Sequence, residues 1–202
     1  MASDTRTRLI EATFSLVQQK GLHGASLNAI LAESGAPRGS LYYHFPGGKE
    51  QLVLEAMLQA SRRISRFLED TFATGCDPAR SVRSYVEAAA QELHDTGYVF
   101  GCPVAPVVLD GSGGSSALEK ACQETLEEWR RTVAAGLASA GIEAHRAEPL
   151  AVAIVAAVEG ALILARARRD IKPLEIVADE LEAMVQGALA RTGQEGRVRP
   201  EG

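Results

Sequence analysis

The chain has 202 residues, room for one large domain or two small ones, and a formal net charge of −5 with 46% hydrophobic residues. The acidic balance excludes a uniformly basic, nucleic-acid-coating surface, and the apolar content allows a sizeable buried core. Few aromatic residues and abundant alanine favour helix over sheet.

Three cysteines, Cys76, Cys102 and Cys122, are odd in number and far apart. They fit free thiols in a reducing compartment better than a disulfide framework or a metal site. The N-terminal MASDTRTRLIEA lacks the apolar run of a secretory signal, so a cytoplasmic location is expected. The most apolar run, Leu150 to Ala165, is short for a membrane span and contains Glu159, so a buried core helix is expected and no membrane partner. Charge is uneven. Residues 1–63 hold seven basic side chains (Arg6, Arg8, Lys20, Arg38, Lys49, Arg62, Arg63) against five acidic ones (Asp4, Glu11, Glu33, Glu50, Glu55). A mildly basic head on an acidic body is compatible with DNA binding, because only the contacting face must be positive.

Taken in order, residues 4–20 form an amphipathic helix, with Leu9, Ile10, Thr13, Phe14 and Val17 at three- and four-residue spacing and Gly21 as its stop. Ser26 caps a short helix over 26–33. Gly35 breaks it, and a second short helix follows over about 37–44. Two short helices about a glycine turn are a helix-turn-helix, whose second helix can enter a major groove. That second helix points Arg38, Ser40, Tyr42, Tyr43 and His44 outward, a set suited to phosphates and base edges, while Leu41 and Phe45 point inward.

After Pro46-Gly47-Gly48, a long helix runs from Lys49 to about Phe72, and another starts at Pro78. Between Asp95 and Ser116 glycine and proline dissolve the pattern. The apolar residues there, including Tyr98 and Phe100, cap a core or line a cavity. Helices over 116–140, about 144–169 and 173–191 complete the chain. The helix at 144–169 is apolar nearly all round and rich in alanine and glycine, so it must be covered on more than one side. Leu174, Val177, Leu181, Met184 and Ala188 repeat at three and four, a seam of the kind used between helices. The fold expected is all-α: a three-helix head over 1–48, a body of roughly six helices over 49–191, and a disordered tail at 192–202.

At residues 35–49 the pattern becomes recognisable. GAPRGSLYYHFPGGKEQL, preceded by LIEATFSLVQQKGLHGASLNAILAESG, closely resembles the DNA-reading segment of TetR-family bacterial transcriptional repressors. PGGKE and GCPVAPVVLD at 101–110 look like the subgroup that includes the LmrA and YxaF-like regulators. The resemblance implies a cytoplasmic homodimer that binds a palindromic double-stranded DNA operator and is released by a small apolar or aromatic effector, with no cofactor or metal. It implies DNA contacts by Ser26, Arg38, Gly39, Ser40, Tyr42, Tyr43, His44 and Lys49. Two departures bear on this. Pro37 stands where a serine or threonine often caps the helix, and Gly47-Gly48 shifts the spacing before Lys49.

In such proteins the two C-terminal helices pair across the dimer. That implies an interface with Val155, Val158, Leu162, Leu174, Val177, Leu181 and Met184; the alternative is that these residues close the chain's own core. Candidate effector contacts are Phe67, Tyr85, Tyr98, Phe100, Cys102, Trp129 and Glu159. Glu159 could pair with a cationic effector, with His94, or with an arginine across the dimer. An enzyme is not expected: no phosphate loop, nucleophile elbow or histidine pair at metal spacing is present. The rival reading is a helical adaptor that binds another protein through 144–191.

Overall fold

The computed structural model describes residues 2–73 and 75–195. Among them are nine α-helices and no strand. The helices are α1 (Ala2–Gly24), α2 (Leu27–Ser34), α3 (Arg38–His44), α4 (Gly48–Thr71), α5 (Pro78–Asp95), α6 (Ala105–Leu109), α7 (Ser116–Ser139), α8 (Ala144–Arg168) and α9 (Lys172–Glu195). The all-α expectation holds. Within the stretch that reads as irregular, α6 is an added five-residue helix, started by Pro106 near its N-terminus, where a missing N–H costs nothing. Of the tail expected at 192–202, residues 192–195 continue α9 and 196–202 lie outside the described residues.

The chain divides into two compact units, residues up to 64 with 99–126, and 65–98 with 127 onward. In the first, α1 packs on α2, α3 and α6. Leu9, Ile10, Leu16, Val17, Ile30, Leu41, Phe45, Leu52 and Val53 form its core, each at most 5% exposed. Thr13 sits in that core with its hydroxyl donating to the Leu9 carbonyl at 2.7 Å, which satisfies it within its own helix. Phe14 is only half-buried and meets Phe100 edge to face at 5.1 Å. Buried Gln18 pairs with a backbone segment far along the chain: its amide donates to the Cys102 carbonyl and accepts from the Gly101 N–H, both at 3.0 Å. Cys122 lies 3.5 Å from the Met57 sulfur in the same unit, and burial pushes its thiol pKa up.

In the second unit α5 lies along α9, and α8 packs on both. Asp77 caps α5, accepting from the Ala79 N–H at 3.0 Å, and Pro78 fills the first helical position. Arg83 on α5 fastens α9 through Asp179, at 2.5 Å, and Glu182, and hydrogen bonding to both holds its pKa above the usual arginine value. The inner seam of α9 is Leu174, Ala178, Leu181, Val185 and Ala188, all at most 3% exposed. This corrects the seam read from the sequence: Val177 is half-buried and Met184 is 39% exposed. Small residues at 178 and 188 let α9 approach its neighbours, and a strong apolar signal at 177 and 184 masked that register.

By length and composition α8 is apolar enough to cross a membrane. One side of it, Ala147, Leu150, Ala151, Ile154, Val158, Ala161 and Ala165, is buried in the unit. The other carries Val152, Ile163 and Leu164, each more than half exposed.

Candidate nucleic-acid interface

The reading element is built from the turn outward. Ser26 holds an extended backbone and its hydroxyl accepts from the Ala29 N–H at 3.2 Å, so it caps α2 as its residue type dictates. Gly35 ends α2 in the left-handed region, φ 63°, where a side chain would be strained. Pro37 precedes α3 in extended conformation, offers no side-chain cap, and accepts the Ser40 N–H on its carbonyl at 2.9 Å. Arg8 of α1 donates to the Ser34 carbonyl at 3.0 Å and so steadies the C-terminus of α2, a contact the sequence did not signal.

The two faces of α3 separate cleanly. Leu41 and Phe45 have no exposed surface, and they anchor the helix on α1. Arg6 of α1 lies over the Phe45 ring at 5.4 Å and pairs with Glu55 of α4. On the outer side Arg38, Gly39 and Tyr42 are exposed, Tyr43 is 79% exposed, and Ser40 and His44 are half-exposed. Tyr43 and His44 meet edge to face at 4.9 Å. Arg38 reaches back to α2, donating to the Asn28 side-chain oxygen at 2.6 Å. Asn28, exposed on α2, was not among the residues singled out from the sequence, because a lone helical asparagine carries no pattern. An exposed helix presenting guanidinium, hydroxyl, phenol and imidazole groups can donate to phosphate oxygens and base edges.

Lys49 lies in the first turn of α4. Gly48 has φ 68°, and the turn closes with the Gly48 N–H on the Phe45 carbonyl at 2.8 Å. The Lys49 ammonium donates to the Leu22 carbonyl at 2.6 Å, which commits one of its three donors inside the protein. Burial pulls its pKa down, and the nearby Asp110 carboxylate partly opposes that.

The residues proposed from sequence to meet an effector are divided between the two units. Phe100 and Cys102 belong to the first unit, the one against Phe14 and the other accepting from Gln18. Phe67, Tyr85, Tyr98, Trp129 and Glu159 belong to the second. Trp129 is fully buried and donates its indole N–H to the Ser65 hydroxyl at 3.1 Å. Tyr98 holds φ 64°, with the His94 ring 6.2 Å away and the Arg169 guanidinium 5.5 Å from its ring centre. Of the residues proposed for a dimer interface, Val158, Leu174 and Leu181 are at most 3% exposed and serve the unit's own core. Val155, Leu162 and Val177 are half-buried. Met184, also proposed, is 39% exposed, and the other large apolar side chains that stand out on the last two helices are Ile176 on α9 and Val152, Ile163 and Leu164 on α8. Among the described residues no group of three or more histidine, cysteine or acidic side chains is placed to hold a metal.

Comparison with known proteins places this geometry. Residues 9–56 match the family described as bacterial regulatory proteins, tetR family, and residues 78–180 match the C-terminal domain of LmrA/YxaF-like transcriptional regulators. The chain is 34% identical to the HTH-type transcriptional regulator LmrA of Bacillus subtilis over 171 residues, 85% of this chain and 91% of that one. It is 28% identical to the uncharacterized HTH-type transcriptional regulator YxaF of the same organism, over 91% of this chain and 96% of that one. The crystal structure of a TetR transcriptional regulator from Legionella pneumophila superposes with a TM-score of 0.80 at 21% identity, over 88% of this chain and 95% of that one, and so shares the fold. The exposed face of α3, the capped turn before it and these matches together make the chain a DNA-binding transcriptional regulator of the TetR family with an LmrA/YxaF-like C-terminal domain.

Proposed function

We propose that the protein is a homodimeric repressor in the cytoplasm, which binds a palindromic operator and is released by a small apolar or aromatic effector. TetR-family regulators bind DNA operators and act as dimers. The observation that carries the DNA-reading part is the division of α3, with Leu41 and Phe45 wholly buried and Arg38, Tyr42 and Tyr43 turned to solvent. Ser26, Arg38, Gly39, Ser40, Tyr42, Tyr43 and His44 form the contact set. Lys49 adds a phosphate contact with the donors that Leu22 leaves free. Residues 1–48 serve as the reading domain and 49–191 as the effector and dimerisation domain.

The dimer is supported by the exposed apolar side of α8 and α9, which includes Met184 of the interface expected from the sequence. Val152, Ile163, Leu164, Ile176 and Met184 are each 39% exposed or more. Gly160 and Gly187 lie on the same two helices, and a Cβ at either meets nothing within 4 Å. Small residues between large apolar ones let two copies of a helix pair approach closely. Two reading helices carried by such a dimer would sit about 34–36 Å apart, one turn of DNA. No catalytic activity and no membrane association are assigned. Effector contacts are drawn from Phe67, Tyr85, Tyr98, Trp129 and Glu159 in the second unit.

The test is a mobility-shift assay on DNA upstream of the protein's own gene, with analytical ultracentrifugation of the free protein and the complex. A dimer that shifts a palindrome supports the reading. A chain that binds no duplex but captures a protein through α8 and α9 would replace it with the adaptor reading.

A further inference from the structure

Residues 100–115 are fastened to α1 and the start of α4 through three side chains, Gln18, Asp110 and Ser115, all inside the first unit. Gln18 of α1 pairs with the 101–102 backbone through both of its amide groups, at 3.0 Å each. Just after α6, the Asp110 carboxylate accepts from the Leu22 N–H at 2.5 Å and from the His23 N–H at 3.4 Å. Ser115 donates to Glu50, in the first turn of α4, at 2.7 Å. Two glycines shape the fit. Gly21 has φ 72°, and a Cβ there would sit 2.5 Å from an Asp110 carboxylate oxygen. A Cβ on Gly113 would sit 3.2 Å from the Leu22 side chain.

Leu22 is therefore held on both sides: its N–H, in the peptide from Gly21, by Asp110 and its carbonyl, in the peptide to His23, by the Lys49 ammonium at 2.6 Å. These two peptides lie in the corner where α1 breaks at Gly21, and four residues after Leu22 the chain reaches the Ser26 cap of α2. The orientation of these two peptides therefore sets the direction in which α2, and with it α3, leaves α1. The Leu22 N–H and carbonyl would otherwise be free donor and acceptor groups at a helix break.

We propose that Asp110 is a positioning residue for operator binding: with Lys49 it clamps the two peptides that flank Leu22 and so ties α6 to the angle of the reading helices. The proposal rests on the DNA-reading assignment above and adds to it a residue far along the chain that touches no DNA.

The experiment uses the full chain, with a duplex that the parent protein selects from a random-sequence pool. Asp110→Ala, Asp110→Asn and Lys49→Gln are compared by fluorescence anisotropy across a salt series, and by amide hydrogen exchange. Asp110→Ala should weaken binding about tenfold with the salt slope unchanged, because no phosphate contact is lost, whereas Lys49→Gln should also flatten the slope by about one. Exchange should rise at Leu22 and His23 and extend into α2 in Asp110→Ala. Asp110→Asn, which keeps an acceptor oxygen and the side-chain shape, should fall between the parent and the alanine variant. If Asp110→Ala fails to fold, the asparagine variant carries the test by the same readouts. A variant that binds within twofold of the parent overturns the clamp, as does weaker binding accompanied by a flattened slope. A variant that merely melts at lower temperature with its affinity intact overturns it too, since that is a structural role alone. A parent chain that selects no duplex overturns the DNA-reading assignment and the clamp together, a failure visible before any variant is made.

Discussion

Arg38, the first residue of the reading helix, donates to Asn28 on the preceding helix at 2.6 Å, although both side chains are exposed. The bond orients the guanidinium before any DNA arrives and reduces the side-chain freedom that binding would otherwise have to remove. Arg38→Ala should cost about 1–3 kcal/mol of discrimination at one base-pair position, if the guanidinium is bidentate on a base. Asn28→Ala should blunt preference at the same position by a smaller amount, with fold stability changed by no more than about 0.5 kcal/mol, as usual for an exposed site. Binding profiles on a library of single-base operator variants measure both. An Asn28→Ala profile superimposable on the parent's would show that the pairing plays no part in readout.

The single tryptophan reports on the second unit. Trp129 is fully buried and its indole N–H is satisfied by Ser65 at 3.1 Å. Ser65→Ala leaves that donor without its partner in the core, at a cost of about 1–3 kcal/mol. Urea melts followed by tryptophan emission should show the midpoint fall at constant slope. Ser65→Thr keeps the hydroxyl and should recover most of the loss. An alanine variant as stable as the parent would mean that water replaces Ser65 at the indole.

Much of the head was legible in the sequence, and the reason is local. Ser26, Gly35, Leu41 and Phe45 each act within a few residues of themselves, through a cap, a left-handed φ or a helical stripe, and these are what sequence patterns encode. Long-range partners were not legible. Gln18 meets residues 101–102, and Asp110 meets Leu22, across more than eighty positions with no repeat or motif to announce it. The family resemblance implies a phosphate contact for Lys49, and its bond to Leu22 depends on a chain path that no local pattern carries. In α9 the apolar residues outnumber the buried positions. The pattern therefore allowed two registers, and only packing selected Ala178 and Val185 over Val177 and Met184.

A pH dependence follows from Arg130. It hydrogen-bonds Glu127 in its own helix at 2.6 Å and pairs with Glu148 on α8. The hydrogen bond from Arg130, with its charge, holds the Glu127 carboxyl below the usual glutamate value. A depressed folded-state value means a contribution present above the unfolded value, about 4.3, and lost as pH falls through the folded value. Arg130→Gln should lower the melting temperature at pH 7 by a small amount, because the pair is exposed and screened. The gap between variant and parent should narrow as pH falls below about 4.3 and the Glu127 carboxyl takes up its proton. A gap independent of pH would assign the effect to lost packing of the arginine stem.

Two glycines separate the protomer's core from its proposed dimer face. A Cβ on Gly136 of α7 would lie 2.6 Å from the Phe72 Cβ and 2.9 Å from the Phe72 carbonyl oxygen. Because one of those neighbours is backbone, Gly136→Ala should destabilise the protomer by about 1–3 kcal/mol through overpacking, less up to about 1 kcal/mol regained from helix propensity. Gly160 of α8 has nothing within 4 Å, so Gly160→Ala should leave the protomer unharmed or stabilise it by about 0.5–1 kcal/mol. In the dimer the same methyl would stand where a second copy packs, and Ile163→Arg, beside it on the exposed side, would place an unpaired charge there. Sedimentation should show Gly160→Ala weakening the dimer and Ile163→Arg giving a folded monomer that no longer shifts its operator. A fully dimeric Ile163→Arg variant would move the interface away from this side of α8.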